Sequence, residues 1–313
     1  MNQIPAIQNE EAQLKLLLAR KRIYAKATRL LVMQLVLTLG IPIIGGVLAL
    51  FRPEMKADVA AASLAVIVLD ALFLDRHQKV LIKQAAKIGE QFDCVVLDLP
   101  WNQFSVGDKV EAEDIHNAAK PCAARLADSK LKNWYPLSVG EAPLHLARII
   151  CQRANLHYDS RLRRSFGSIL VVASLCVIGA LVTIGLVQNA SFTAWVLITA
   201  PATPFLAWAA REYYRQIDTA DQLEALMKEA RKFWDTAIAG EVSSENCKVR
   251  SREFQNAIYN RRATSPLVLP LLYWFKRLSL EDEMNEGAAS LLRELGTSKS
   301  TASQTHNGIT QGS

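Results

Sequence analysis

Residues 167–188 read GSILVVASLCVIGALVTIGLVQ, a run without one charged side chain. About 20 apolar helical residues, each rising 1.5 Å, cross the ~30 Å hydrocarbon core of a bilayer, so this stretch is long enough to span one. A block of the same kind, Leu30–Phe51, lies nearer the N-terminus, and each block has a shorter apolar neighbour, near 59–75 and near 193–210. Between the two pairs, from Arg76 to Arg164, the lipid-like composition stops, and after Arg211 it stops again. The expected fold is therefore a mainly α membrane protein with four transmembrane helices in a 2+2 arrangement. A cytoplasmic α-rich insert containing a short strand separates the pairs, and a cytoplasmic helical C-terminal region follows them. The segments are an amphipathic N-terminal helix (1–28), spans one and two (29–75), an insert that is the candidate sensor (76–165), spans three and four (166–210), a helical region (211–296) and a disordered tail (297–313).

Composition agrees with this division. The 313 residues are 50% hydrophobic with mean hydropathy +0.11, too polar for a bare membrane bundle and too apolar in blocks for an ordinary soluble domain. Lys and Arg number 6 before the first span, 2 in the turn after it, 14 in the insert, 0 in the last turn and 14 from Arg211 onward. Positive residues remain on the cytoplasmic side, which places both termini and the insert in the cytoplasm. The net charge of +6 follows from this rule and from attraction to anionic headgroups. The bilayer is thus the expected partner, and no DNA or RNA polymer is. Gln8, Asn9, Glu10 and Glu11 exclude a signal peptide at the N-terminus. The five cysteines show no CxxC spacing and mostly fall on the reducing side, which speaks against structural disulfides.

Local patterns fill in the parts. Leu14, Leu17, Leu18 and Tyr24 share one face of a helix over 9–27, fit for the membrane surface or for docking on the insert. Ala57, Ala61 and Ala65 give span two a small-residue face for close helix packing. His77–Gln91 reads as a helix, and Phe92–Leu99 as a short buried strand stopped by Pro100. Val110–Ala127 reads as a helix with Ser105 or Asp108 as its cap, and Glu141–Arg164 as a helix running into span three. Further helices are expected over Arg211–Ala239 and Lys248–Arg262. Pro266 and Pro270, bracketed by Arg261-Arg262 and Lys276-Arg277, exclude a fifth span and predict a docking segment.

Catalytic patterns are missing. The chain has no GxGxxG, Walker loop, HExxH or GxSxG, and its histidines lack metal-ligand spacing, so neither an enzyme nor a metal centre is expected. Asp93 and Asp98 flank the expected strand and read as strand-end capping and solvated carboxylates. Asp70 sits in an apolar helix, where a carboxylate is costly and faces protein, water or a basic neighbour. Gln34 and Thr38, and likewise Thr199 and Thr203, are spaced i, i+4; they fit either a wet passage or interhelical hydrogen bonding. These five are the pore-lining or gating candidates. Arg161, Arg163 and Arg164 crowd the entry to span three, where lipid phosphates alone explain them or a phosphate-bearing ligand is bound. Trp101, Phe104, Trp134 and Tyr135 are aromatics that either stack on bases or pack in a core.

Several segments in order carry a resemblance: Ile7-Gln8-Asn9 with Arg20 and Tyr24-Ala25-Lys26, then Phe92-Asp93 through Leu99-Pro100-Trp101-Asn102 and Trp134-Tyr135-Pro136. Cys151-Gln152-Arg153-Ala154-Asn155, Asp159 through Arg164, Phe254-Gln255 through Ile258-Tyr259, Arg261-Arg262 and Ser265-Pro266 complete it. Across residues 4–290 the chain resembles the SMODS-associated four-transmembrane effector family, encoded beside cyclic-oligonucleotide synthases in bacterial anti-phage CBASS systems. Tyr158 stands where that pattern leads one to expect Trp. The resemblance implies a homo-oligomeric effector that takes a cyclic di- or trinucleotide as its activating ligand and needs no other cofactor. It would permeabilise the inner membrane, killing the cell before phage release. Trp101, Trp134, Tyr135, Arg161, Arg163 and Arg164 are then the nucleotide-binding candidates. The same 2+2 layout also looks like a constitutive ion channel or a stator-like proton-conducting subunit, which is the alternative.

Overall fold

The computed structural model describes residues 2–120 and 131–309, and among these it is 86% helical with no strand. Four long rods dominate. In the first, α2 (Glu11–Leu35) continues through a π-helical turn, Val36–Gly40, into α3 (Ile41–Phe51), with a one-turn helix α1 (Ile4–Ile7) ahead of it. In the second, α4 (Lys56–Leu69) continues through a π-helical turn, Asp70–Leu74, into α5 (Asp75–Val96). The third is a single 44-residue helix, α8 (Leu144–Val187). The fourth joins α9 (Phe192–Thr199) through a tight turn at Ala200–Ala202 to α10 (Thr203–Ile238). Between the second and third rods lie α6 (Gln103–Val106) and α7 (Ala112–Ala119), and α11 (Ser244–Thr264) and α12 (Pro270–Ile309) close the chain.

The rods pair as two hairpins. α2 lies along α5 and α3 along α4, while α8 lies along α10, and the hairpins touch where α3 meets the Ala200–Ala202 turn. Close approach needs small residues: a Cβ on Gly45 would overlap Val59, and one on Gly185 would overlap Trp195. Among the described residues three helices are long and apolar enough to cross a membrane, within Glu11–Gly45, Leu144–Val187 and Phe192–Ile238. At the expected second span the described residues give only a shorter apolar helical stretch, Ala57–Val66. The apolar ends of these hairpins stay uncovered; Val172, Leu175, Leu186 and Val187 all lie open, a band that water would not tolerate but lipid does.

At the other end the rods build a packed body. Leu14, Leu17, Leu18, Phe92, Val96, Tyr135, Ile149, Ile150, Trp234 and Leu291 share one core, so the N-terminal amphipathic face docks on the insert. A smaller cluster of Leu162, Phe166, Leu170, Ala209, Leu272 and Leu280 sits where the body meets the apolar ends. Burying a side chain of this size stabilises by ~1.5–3 kcal/mol, so the body is held mainly by these contacts.

One expectation fails plainly. Phe92–Val96 is the last part of helix α5, not a strand. A short apolar run cannot by itself distinguish a strand from a buried helix. Here the run is buried because α5 is covered by α2 and α11. The helix stops at Asp98, whose φ of 47° is left-handed. The buried Arg148 of α8 then donates to the Leu97 carbonyl at 2.6 Å and the Asp98 carbonyl at 2.9 Å, satisfying oxygens the helix end leaves open. The helix expected over Val110–Ala127 starts at Ala112, with Glu111 rather than Ser105 or Asp108 at its cap, and Pro121–Ala127 lies outside the described residues. α12 runs to Ile309, through much of the segment whose composition predicts a disordered tail.

Candidate functional site

Between α5, α8 and α11 the body encloses a knot of charge. Glu90 and Asp93, one turn apart on α5, are both fully buried. From α11, Arg252 Nη2 donates to Glu90 Oε1 and Arg262 Nη1 to Asp93 Oδ2, each at 2.5 Å. Gln255 Nε2 bridges the two acids, 2.9 Å from Glu90 Oε2 and 2.9 Å from Asp93 Oδ2. The Tyr135 hydroxyl donates to Asp93 Oδ1 at 2.7 Å and accepts from Asn155 Nδ2 of α8 at 2.9 Å. Gln152 of α8 donates to Gln255 Oε1 at 3.2 Å and to the Ser251 carbonyl at 2.7 Å. Gln8 exchanges hydrogen bonds with the Tyr135 backbone, 2.8 Å to its N–H and 3.2 Å to its carbonyl, which ties in the N-terminus.

Two acids face two arginines, so the knot is electrically balanced, and its cost lies in desolvation. Burial raises the Glu90 carboxyl above its usual range against the pull of Arg252, with Asp93 adding to the rise. Burial, then Asp93, pushes the Tyr135 hydroxyl well up. The Cys94 thiol, buried beside Glu90, is pushed up to about 12 and stays protonated. The arrangement locks the extensions of both hairpins to α11 in one register.

A second polar junction lies nearer the apolar ends. Buried Arg163 donates to Asp159 at 3.1 Å, Gln216 at 2.8 Å and the Pro266 carbonyl at 2.9 Å. Arg164 turns the other way, forking onto Glu224 at 2.5 and 2.7 Å and reaching Asp221 at 2.7 Å. Arg161 remains 57% exposed, 3.8 Å from Glu283 of α12. The three arginines of the expected anion site thus face three different sets of partners. The aromatic candidates are not assembled either. Tyr135 is fully buried, and Trp134 packs edge-on to Phe92 under the Arg20 guanidinium, 4.8 Å from its ring. Trp101 belongs to a separate cluster with Val106 and Tyr259, its indole N–H donating to the Gly107 carbonyl at 2.9 Å.

Of the pore candidates, two are brought together. Gln34, just before the first π-helical turn, donates to Asp70 Oδ2 at 3.0 Å, and Asp70 opens the second such turn. Such turns are rare and concentrate at functional positions. Asp70 Oδ1 is buried without a hydrogen-bond partner. Thr38, Thr199 and Thr203 donate instead to backbone carbonyls three or four residues earlier, those of Gln34, Val196 and Ala200, at 2.7, 3.0 and 2.6 Å.

A family model described as the SMODS-associating 4TM effector domain matches residues 2–291. The chain belongs to this family. A protein of Bacillus cereus (strain VD146), named a probable CBASS effector molecule, is 26% identical over 284 residues, which is 88% of this chain and 94% of the relative. No solved structure matches. As a SMODS-associating 4TM effector, the chain is a transmembrane protein of CBASS antiviral defence.

The residues that carry the resemblance meet in space: Gln8, Asp93, Tyr135, Gln152, Asn155, Gln255 and Arg262 form one hydrogen-bonded network in this effector. Sequence reasoning reached Asp93 only as a solvated strand end and missed Glu90, Arg252 and Arg262 as a unit. The signal that could have found them is the i, i+3 pair of acids on a helix otherwise apolar on that face, matched by arginines in one later helix. Asp98, with 65% of its side chain exposed, is the solvated one of the two aspartates first paired.

Proposed function

We propose that this protein is a four-span effector of the bacterial inner membrane, with both termini and the body in the cytoplasm. On a cyclic-oligonucleotide signal it assembles with further copies and permeabilises the membrane, ending the infected cell. We assign it no catalytic step. The observation that carries the reading is continuity: α8 runs as one unbroken helix from an uncovered apolar end into the polar body, and the other three rods make the same passage through a single helical turn each, so a change of packing in the body is delivered directly to the membrane. The family match and the CBASS-named relative support the setting in antiviral defence. On this reading α4 completes the count as the second span, its short apolar stretch extended by Asp70 bonded to Gln34 rather than exposed to lipid.

The test is dye release from liposomes carrying the purified protein, challenged with a panel of cyclic di- and trinucleotides. Release with one of them and silence without it is the expected result; release in every condition overturns regulated gating. The unpartnered Asp70 Oδ1 favours a second reading, a constitutive ion or proton conductor. Proton flux that needs no nucleotide and disappears on Asp70→Asn would replace the first reading by the second.

A further inference from the structure

A small cleft opens between α8 and α12, about 100 Å³ in volume, lined by Arg153, His157, Glu283, Met284 and Gly287 among others. Arg153, His157 and Arg161 follow at four-residue spacing, so they form one stripe along α8. Arg153 Nε is buried with no hydrogen-bond partner. The acids nearby are already taken. Glu294 accepts from Arg231 at 2.9 Å and from the Trp234 indole at 3.1 Å, and Glu283 lies 2.9 Å from His157 Nε2. Gly287 faces Arg153, with Nη1 3.9 Å from where a Cβ would stand, so the guanidinium lies against bare α12 backbone at the cleft wall. The one acid whose charge acts on Arg153 is Glu294, already bonded to Arg231, so the half-buried guanidinium is short of counter-charge, and a planar fork at a cleft wall suits a phosphate.

We propose that this cleft is the anion site of the protein and takes a phosphate group of a soluble ligand, with Glu283 as the internal carboxylate that the ligand displaces. The inference rests on the reading above and deepens it by assigning the place of recognition. The volume is small beside ligand pockets of about 300–1,000 Å³, so it holds one phosphate while the remainder of the ligand lies along the surface. Lipid headgroups do not reach it: Arg153 stands thirteen residues before Phe166, ~20 Å along the helix from the start of the third span. A phosphate bound here takes His157 and Arg161 from Glu283 and so loosens α12 from α8, the helix that continues into the membrane.

The experiment uses the full-length protein in nanodiscs, with and without anionic phosphatidylglycerol. Binding of inorganic pyrophosphate and of each cyclic di- and trinucleotide is measured by calorimetry for the wild type, Arg153→Gln and Glu283→Gln. Arg153→Gln should weaken binding by about tenfold or more, the loss of a charge-assisted fork. Glu283→Gln should tighten it several-fold, because the competitor is gone. Equal affinity in Arg153→Gln, weaker affinity in Glu283→Gln, binding that appears only with phosphatidylglycerol, or no binding by any probe overturns the assignment. Dye release run in parallel separates the two ideas. A nucleotide that gates the wild type and Arg153→Gln alike refutes this cleft and leaves the effector reading standing. Arg153-dependent binding with no release does the reverse.

Discussion

Arg262→Met is the sharpest test of the buried charge knot. The substitution keeps the aliphatic stem and removes the guanidinium that sits 2.5 Å from Asp93, whose side chain is 1% exposed. Stranding one member of a buried pair costs ~3–5 kcal/mol. Two donors to Asp93 survive, the Tyr135 hydroxyl and Gln255 Nε2, so the low end applies, ~3 kcal/mol. At ~2.1 cal/mol/K of unfolding entropy per residue, a chain of 313 residues moves its midpoint by ~1.5 °C per kcal/mol, so Tm should fall by ~4–5 °C. The assay is thermal unfolding in detergent followed by tryptophan fluorescence, which Trp134 reports from its place against Phe92. Adding Asp93→Asn should recover most of the loss, with a coupling energy of ~1–3 kcal/mol in the double-mutant cycle. An Arg262→Met protein within about 0.5 kcal/mol of wild type, or strictly additive substitutions, would refute the view that the knot holds the body together.

Glu90 predicts a pH dependence. Its folded pKa is raised, so its contribution to stability is fully present below the unfolded value of about 4.3 and is lost as pH rises through the folded value. Glu90→Gln should flatten the fall in Tm above about pH 4.3, and an unchanged slope from pH 4 to 8 refutes the assignment. Helix contact in the membrane is tested by two glycines. Gly45→Leu meets Val59 and should cost ~1–3 kcal/mol, whereas Gly179→Leu, with no atom within 4 Å of its Cβ, should be neutral in a melt of the same preparation. Topology is read with a membrane-impermeant maleimide: cysteines placed at Glu54 and Asn189 should label from outside intact spheroplasts, and one at Glu286 should not. Labelling at Glu286, or none at Glu54, would break the four-span assignment.

Much of this architecture is legible in the sequence because lipid imposes a one-dimensional signal. The block at 167–188 announces its helix by length alone, and α8 contains all of it but Gln188, the cap residue. Likewise Leu14, Leu17 and Leu18 share a face, and that face is buried. What fails is whatever depends on a partner far along the chain. Phe92–Val96 carries the composition of a strand, and α2 and α11, the latter some 160 residues later, make it the buried face of a helix. Arg161, Arg163 and Arg164 are adjacent in sequence, but successive helical residues point 100° apart, so their neighbours in space are three different sets of acids and carbonyls. Asp70 and Gln34 lay among the pore candidates for local reasons, while their pairing across two π-helical turns needed the fold.

A magnitude argues for assembly. Moving a closed protein from 1% to 99% open requires ~5.5 kcal/mol of preference for the open state. A phosphate that replaces Glu283 on His157 and Arg161 exchanges one anion for another there, so its net gain is close to the new contact with Arg153 alone, ~1.5–3 kcal/mol for a charge-assisted bond. One copy therefore opens only partly, and about two to four copies that change together reach the required sum. The expected outcome is a dose–response curve for dye release with a Hill coefficient above 1 at fixed protein density, falling toward 1 as the protein is diluted to single copies per liposome. A coefficient of 1 with full release from single copies would mean that the differential contacts in one chain suffice, and that the weight assigned to Arg153 is too small.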